Sequence, residues 1–324
     1  ELNELNAEAY IQKTNTVISL TKSGYIKRIA SRSYKQQKRG GVGVRGSAHK
    51  NDKDIINMLF TATTHDTVMF FTNRGKAYYL KTHEMPAGSR IARGSHIKMY
   101  LNLAAGEEIQ SYLVFNTFEE AGAVIIATAQ GIIKKTKIKE FINAKKRGIQ
   151  AVNLKNNDTL IGTTQILGNE DIILATRKGL ALRTHESNIR FMGRTAAGVR
   201  GISIRPGDEV VGLTKVEPDH NMLVVTENGC GKKLAFSEFS PKGRGGKGQI
   251  YLKTNEKSGD IATINTVTDK DNVLIISSAG NIIRLDINNI SLLGRPAKGP
   301  RLANVSPPDF VVDAAIIRPL HLDS

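Results

Sequence analysis

Six glycines divide this chain at near-equal steps. Gly24, Gly75, Gly131, Gly179, Gly229 and Gly280 are separated by 51, 56, 48, 50 and 51 residues. Each lies between two short runs rich in apolar and β-branched residues: 17–21 and 25–29, 68–72 and 76–80, 124–128 and 132–136, 172–176 and 180–183, 222–226 and 231–234, 273–277 and 281–285. Two such runs around a glycine predict a β-hairpin, with the glycine at positive φ in the turn. A period near 50 residues, held along the whole chain, is the signature of a repeat architecture. After each hairpin comes a loop carrying glycine with arginine or lysine, then an apolar strand such as residues 201–204. A Gly-Asp or Gly-Glu turn (Gly106-Glu107, Gly207-Asp208, Gly259-Asp260) and one more strand complete the unit. That is about four strands per repeat, the size of a propeller blade. Helical periodicity is nearly absent; residues 138–143 predict one turn or two. Six blades in a row would leave edge strands open, whereas a ring protects them. The expected fold is all-β: a closed six-bladed propeller with four-stranded blades. It fills residues 11–318 as a single domain, with 1–10 as a lead-in and 319–324 as the C-terminal end.

Composition narrows what such a ring can do. Hydrophobic residues make up 40% of the 324, enough to bury a large core. No run of about 18 apolar residues is present, so no transmembrane helix is expected, and the first residues lack a signal-peptide pattern. Cys230 is the only cysteine, which excludes an intrachain disulfide and a cysteine-rich metal site and fits a reducing cytoplasm. The seven histidines form no H-x3-H or HExxH set, so zinc is not expected. Lys and Arg number 46 against 30 Asp and Glu, a net charge of +16, and the sequence pI is about 9.8. Such an excess points to a polyanionic partner. A membrane surface is the weaker candidate, because no basic amphipathic helix is visible.

The cations gather in the loops that follow the hairpins. Arg32, Lys35, Lys38, Arg39 and Arg45 lie in the first loop, and Arg90 and Arg93 in the second. Lys145, Lys146 and Arg147 lie in the third, and Arg190, Arg194 and Arg200 in the fourth. Lys242, Arg244 and Lys247 lie in the fifth, and Arg295, Lys298 and Arg301 in the sixth. Equivalent loops of a ring share one circular track, so a cationic group recurs once per blade. Phosphates neutralised at spaced points supply affinity without reading bases. They can also offset the several kcal/mol that bending a stiff duplex costs. There is no recognition-helix motif or zinc finger. With no Trp and 6% aromatic residues, stacking on single strands is disfavoured. Sequence-independent binding of double-stranded DNA is the best fit.

Some strings mimic catalytic motifs. Gly41-x-Gly43-x-x-Gly46 and Gly243-x-Gly245-x-x-Gly248 match a dinucleotide fingerprint, but neither has the strand-turn-helix setting that chemistry needs. Gly246-Lys247 is followed by Gly248 rather than Ser or Thr, so it is no P-loop. No Ser/His/Asp set or carboxylate pair stands out, and no catalytic residue is assigned.

The stretch Gln37-Lys38-Arg39-Gly40-Gly41-Val42-Gly43 is reproduced in full by no other repeat. It resembles the signature box of the C-terminal domain of the DNA gyrase A subunit, whose usual form is Gln-Arg/Lys-Arg-Gly-Gly-Lys-Gly. Gly75-Lys76-Ala77-Tyr78 with Pro86 and Arg93-Gly94 resembles that family's second blade. Ala127-Thr128-x-x-Gly131-x-x-Lys134-Lys135-Thr136 is similar to its third. Met192-Gly193 with Gly198-Val199-Arg200-Gly201-Ile202 is similar to its fourth, and Asn228-Gly229-x-Gly231-Lys232 to its fifth. The likeness runs over about residues 11–318. It implies a β-pinwheel, a six-bladed propeller variant that wraps duplex DNA on a basic rim and so lets the ATP-driven holoenzyme introduce negative supercoils. It implies as partners double-stranded DNA, the rest of the gyrase A subunit, and the gyrase B subunit, in a bacterial cytoplasm at the nucleoid, with the isolated domain monomeric. It implies no cofactor in this domain; ATP and Mg belong to the holoenzyme. The nucleophilic tyrosine and the ATPase lie in other parts of gyrase. The box departs from the family at Val42, where Lys is usual, which removes one charge. The family's acidic C-terminal tail is absent before Ser324. The rival readings are the C-terminal domain of the topoisomerase IV A subunit, which usually lacks the box and has fewer or broken blades, and a protein-binding propeller of the kelch or chromosome-condensation-regulator kind. An enzyme on a propeller scaffold is a third.

Overall fold

The computed structural model describes residues 8–30, 54, 56–89, 91–279 and 281–317. It is all-β, with six blades in succession. The six hairpins form where the repeats predict them: Asn15–Thr21 with Tyr25–Ala30, Thr67–Thr72 with Lys76–Lys81, Ala123–Thr128 with Ile132–Lys137, Asp171–Thr176 with Leu180–His185, Asn221–Thr226 with Gly231–Ala235, and Asn272–Ser277 with Ile282–Asp286. Each first strand ends on a hydroxyl residue that accepts the N–H four residues on. Thr176 does so from Leu180 (3.1 Å) and Ser277 from Asn281 (3.2 Å). The turn glycines of the first five hairpins take positive φ, +89° at Gly179.

A third strand pairs with the first strand of every hairpin: Ile56–Thr63, Ile109–Phe115, Leu160–Ile166, Val210–Lys215, Ile261–Val267 and Val311–Ile317. Its register slips at the same place in all six blades, at the last residue of the hairpin strand or beside it. A bulge repeated in phase raises the local twist each time. From blade two to blade six, and from blade six to blade one, these third strands pack on one another and so line the inner edge of the ring.

The hairpin strands are apolar without alternation because both of their faces are covered. In Thr67–Thr72, Val68 and Phe70 join one core with blade one, while Met69 and Phe71 join another with blade three. Successive side chains point to opposite faces of a strand, so one run serves two interfaces. The pattern repeats between blades three and four, four and five, and five and six. Blade six meets blade one through Val17, Leu59, Leu274, Ile276 and Ala315, with its inner strand against Ile56–Thr63.

The fourth strand is where the structure departs from a simple reading of the repeat. It is two residues long and comes from the following repeat. Ser95–His96 pairs with Tyr25–Ala30 of blade one, Ile149–Gln150 with blade two, Val199–Arg200 with blade three and Gln249–Ile250 with blade four. Blade five has a single bridge, Cys230 with Arg301, and blade six shows three strands among the described residues. Residues 201–204, expected as a strand, follow this short ladder instead of forming it. The short helical turn expected near 138–143 is a 3-10 turn, Ile138–Phe141, with counterparts after the other hairpins from the second onward.

Candidate nucleic-acid interface

The segment between the 3-10 turn and the borrowed strand is an arm that each repeat from the second onward lays over the outer strand of the blade before it. Three arms run first parallel to that strand, at Arg28 beside Ala87, Lys135 beside Phe191 and Lys233 beside Leu292, before turning back to pair antiparallel. The arm then docks on the turn glycine of the earlier blade: Tyr251 N–H donates to Gly179 O (3.0 Å), and Leu302 N–H to Gly229 O (2.7 Å). A Cβ at Gly179 would lie 2.0 Å from the Leu252 carbonyl. That glycine is therefore required by close approach as well as by its φ. Arms also join each other. Asn102 N–H donates to Lys146 O, Asn153 N–H to Ala196 O and Ser203 N–H to Gly246 O, at 2.9, 3.2 and 2.8 Å. The arms thus form a hydrogen-bonded belt along the outer edge.

The belt carries the cations expected from the sequence. Arg93, Lys145, Lys146, Arg147, Arg200, Lys242, Arg244, Lys247, Lys298 and Arg301 are exposed on it, and Arg194 and Arg295 are partly buried. Their settings differ. Arg93 stacks its guanidinium 3.8 Å from the Tyr25 ring centroid. Arg244 donates to the carbonyls of Asn188 (3.1 Å) and Arg200 (3.2 Å), so it ties its own arm to the one before. Lys146 faces Glu84 at 3.0 Å and Arg295 faces Glu238 at 3.8 Å; exposed pairs of this kind contribute little. Lys145 adopts positive φ (38°) at the tip of its arm. The box, Gln37 to Gly43, and Arg32, Lys35, Arg45 and Arg90 lie outside the described residues.

A second set of cations sits beneath the arms, on the outer hairpin strands. Arg28 donates to Met85 O (2.9 Å), Lys135 to Glu186 O (3.1 Å) and its carboxylate (2.6 Å), and Arg183 to Phe236 O (3.0 Å). Each holds the 3-10 turn of the next repeat or the residue just after it. Lys27, Lys134 and Lys232 are buried. Burial pushes the ammonium groups of Lys134 and Lys232 down to about 8, opposed by Glu140 and Glu238 respectively. The sequence pattern points to cations in the loops and passes over these strand lysines. Their one visible signal is the recurrence of Lys-Arg or Lys-Lys at 27–28, 134–135 and 232–233.

Residues 243–248, which mimic a dinucleotide fingerprint, belong to an arm: the short strand that follows pairs with blade four and no helix begins there. Among the described residues no group of three or more His, Cys, Asp or Glu could hold a metal ion. No described helix is long and apolar enough to cross a membrane.

Fold and perimeter together define a six-bladed β-propeller whose repeats exchange cationic arms. The family model described as the DNA gyrase C-terminal domain, beta-propeller, matches this chain six times, at residues 15–61, 66–116, 123–166, 170–217, 220–268 and 271–318. The chain belongs to this family. It is 45% identical over 314 residues to the DNA gyrase A subunit of Brachyspira hyodysenteriae, covering 97% of this chain and 38% of that protein. It is 45% identical over 318 residues to the DNA gyrase A subunit of Treponema pallidum, covering 98% and 39%. The chain thus spans under two-fifths of the length of these relatives. A solved DNA gyrase A C-terminal domain superposes with a TM-score of 0.77 at 27% identity, over 93% of this chain and 99% of that one. A C-terminal domain of DNA topoisomerase IV superposes equally well, TM-score 0.77 at 26% identity, over 95% and 94%. The names of the sequence relatives favour gyrase over topoisomerase IV.

Proposed function

We propose that this chain binds, bends and wraps double-stranded DNA around its perimeter, without reading sequence, as the wrapping domain of a gyrase A subunit. The observation that carries this is the belt: arms seated alike on successive blades, each presenting one or more cations at the outer edge. A cationic group at each blade suits a curved polyanion better than a single cluster does, because each contact holds the duplex against its own stiffness. The DNA-facing set comprises the arm cations named above together with Arg32, Lys35, Arg45 and Arg90. The box at Gln37 to Gly43 is the specialised contact after the first hairpin, and Val42 makes it a weaker one. The domain is residues 11–318. It works with the remainder of the gyrase A subunit, and with the gyrase B subunit, which supply the cleavage tyrosine and the ATP- and Mg-dependent steps, in the bacterial cytoplasm. It takes no cofactor and is monomeric when isolated.

The test uses the chain alone. It is mixed with relaxed plasmid, a relaxing topoisomerase is added, and the protein is removed. Topoisomers shifted in linking number at low salt are expected. An unshifted ladder, with binding shown in parallel, removes the wrapping assignment.

A further inference from the structure

The arms are seated alike but anchored in two ways. One position of the outer hairpin strand, fixed by its cross-strand register, holds Lys27 in blade one, Lys134 in blade three and Lys232 in blade five. The same position holds Tyr78, Leu182 and Ile283 in blades two, four and six. Lys134 and Lys232 have no exposed surface, and Lys27 keeps 9%.

The three ammonium groups reach the arm that crosses above them. Lys27 donates to Ala92 O (2.5 Å). Lys134 donates to Arg194 O and, at 2.5 Å, to Ala151 O, just past the borrowed strand of the neighbouring blade. Lys232 donates to the carbonyls of Gly294 (2.9 Å), Arg295 (2.9 Å) and Ala297 (2.5 Å). In each case the gripped peptide belongs to, or adjoins, an arginine of the DNA-facing set: Arg93, Arg194 or Arg295. Leu182 and Ile283 have nothing to donate, and the Tyr78 hydroxyl turns to Glu107 of its own repeat at 3.1 Å.

A buried ammonium is costly unless its donors are met. A hairpin strand that needed only a packed core would carry leucine there, as blade four does. The lysine has a second task, and its donors say what that task is: they satisfy arm carbonyls that come from about 60 residues away.

We propose that Lys27, Lys134 and Lys232 are positioning residues for DNA, each locking through its ammonium the arm that bears Arg93, Arg194 or Arg295. Contacts around the perimeter then alternate. Arms of the second, fourth and sixth repeats meet the duplex preformed, while those of the third and fifth, seated by backbone and glycine without a lysine beneath, adapt to it. This rests on the wrapping assignment above.

Lys134→Leu and Lys232→Leu, singly and together in the whole chain, test it, since leucine is the residue blade four already accommodates. Amide hydrogen exchange in residues 192–198 and 293–299 should quicken at least about tenfold. Residues 144–150, 242–248 and the hairpins should keep their rates. Writhe captured per bound chain should fall to about half or less, while affinity for a straight duplex of about 20 bp stays within about threefold. Lys134→Cys in a Cys230→Ser background, alkylated with 2-bromoethylamine under denaturant and refolded, regains an ammonium at lysine length. It should regain slow exchange and full writhe. Exchange unchanged in the two arms, or raised throughout the chain, overturns the anchoring. Exchange raised in the arms with writhe unchanged overturns the role in positioning DNA. An unsubstituted chain that captures no writhe overturns the wrapping assignment itself, and this proposal with it, and is told apart because it needs no variant.

Discussion

Replacing Lys242 and Lys247 by glutamine removes two charges from one arm and leaves its seat alone. Both side chains are exposed. The arm is held instead by backbone, with Lys242 N–H on Arg183 O (2.9 Å) and Ser203 N–H on Gly246 O (2.8 Å), and by the Arg244 guanidinium. Eight exposed cations of the proposed DNA-facing set, among the described residues, pair with no carboxylate: Lys145, Arg147, Arg200, Lys242, Arg244, Lys247, Lys298 and Arg301. Each phosphate neutralised on B-DNA contributes about −0.9 to the slope of log K against log salt, so the eight give about −7. The double variant loses two contacts and should show a slope of about −5. Between about 50 and 200 mM salt, the unsubstituted chain should then lose about 12-fold more affinity than the variant does. Fluorescence anisotropy on duplexes of about 40 bp, long enough to engage several arms, reads this directly. Two unrelated base sequences should give one slope. An unchanged slope with an unchanged melting temperature would mean that the arm does not face phosphate, and the reasoning fails. A slope change on one sequence alone would refute backbone-only recognition.

Three further outcomes are expected. Lys38→Ala with Arg39→Ala should abolish captured writhe while lowering affinity for a short duplex only modestly; equal small losses of both would make the box one more basic loop. Gly299→Ala places a Cβ 2.2 Å from the Gly231 carbonyl at φ +80°, so it should cost about 1–3 kcal/mol in urea unfolding and unseat the arm over blade five; an unchanged midpoint counts against the seating described. Asp313 lies on the inner strand of blade six, where burial, opposed by the Ala314 N–H and the Thr263 hydroxyl, raises its pKa to about 6. Its folded value exceeds the ordinary 3.8, so the folded state holds the proton more tightly and stability falls as pH rises from about 4 to 6, then levels off. Asp313→Asn should abolish that fall and add about 1–3 kcal/mol at pH 7, read by denaturant titration at pH 4 and pH 7.

The hairpins were legible because two local signals agree in every repeat: paired apolar runs and the turn glycine between them. The arms were not legible. A strand of two residues, such as Val199–Arg200, has no periodicity to detect, and its partner lies in another repeat. Residues 201–204 carry the apolar character of a strand because Ile202 is buried, yet they form no ladder. The cationic loops were visible as composition, and twelve of their sixteen proposed DNA contacts fall among the described residues on one belt. Lys134 and Lys232 were hidden for a physical reason. A lysine in a strand reads as solvent-facing, and nothing near it in sequence reveals the carbonyls of residues 194 and 295.

Arm exchange also governs how the ring bears load. A wrapped duplex tends to straighten and pulls outward on whatever holds it. An arm pulled in this way is restrained along two routes at once, through the covalent chain to its own blade and through the ladder and the glycine dock to the blade before. Tension at one contact is therefore divided between neighbours and passed along the belt through links such as Asn153 to Ala196 and Ser203 to Gly246. The perimeter behaves as a hoop rather than as separate hooks, and where the ladder is shortest among the described residues, at the single bridge from Cys230 to Arg301, the Lys232 ammonium and the Gly229 dock take the load instead.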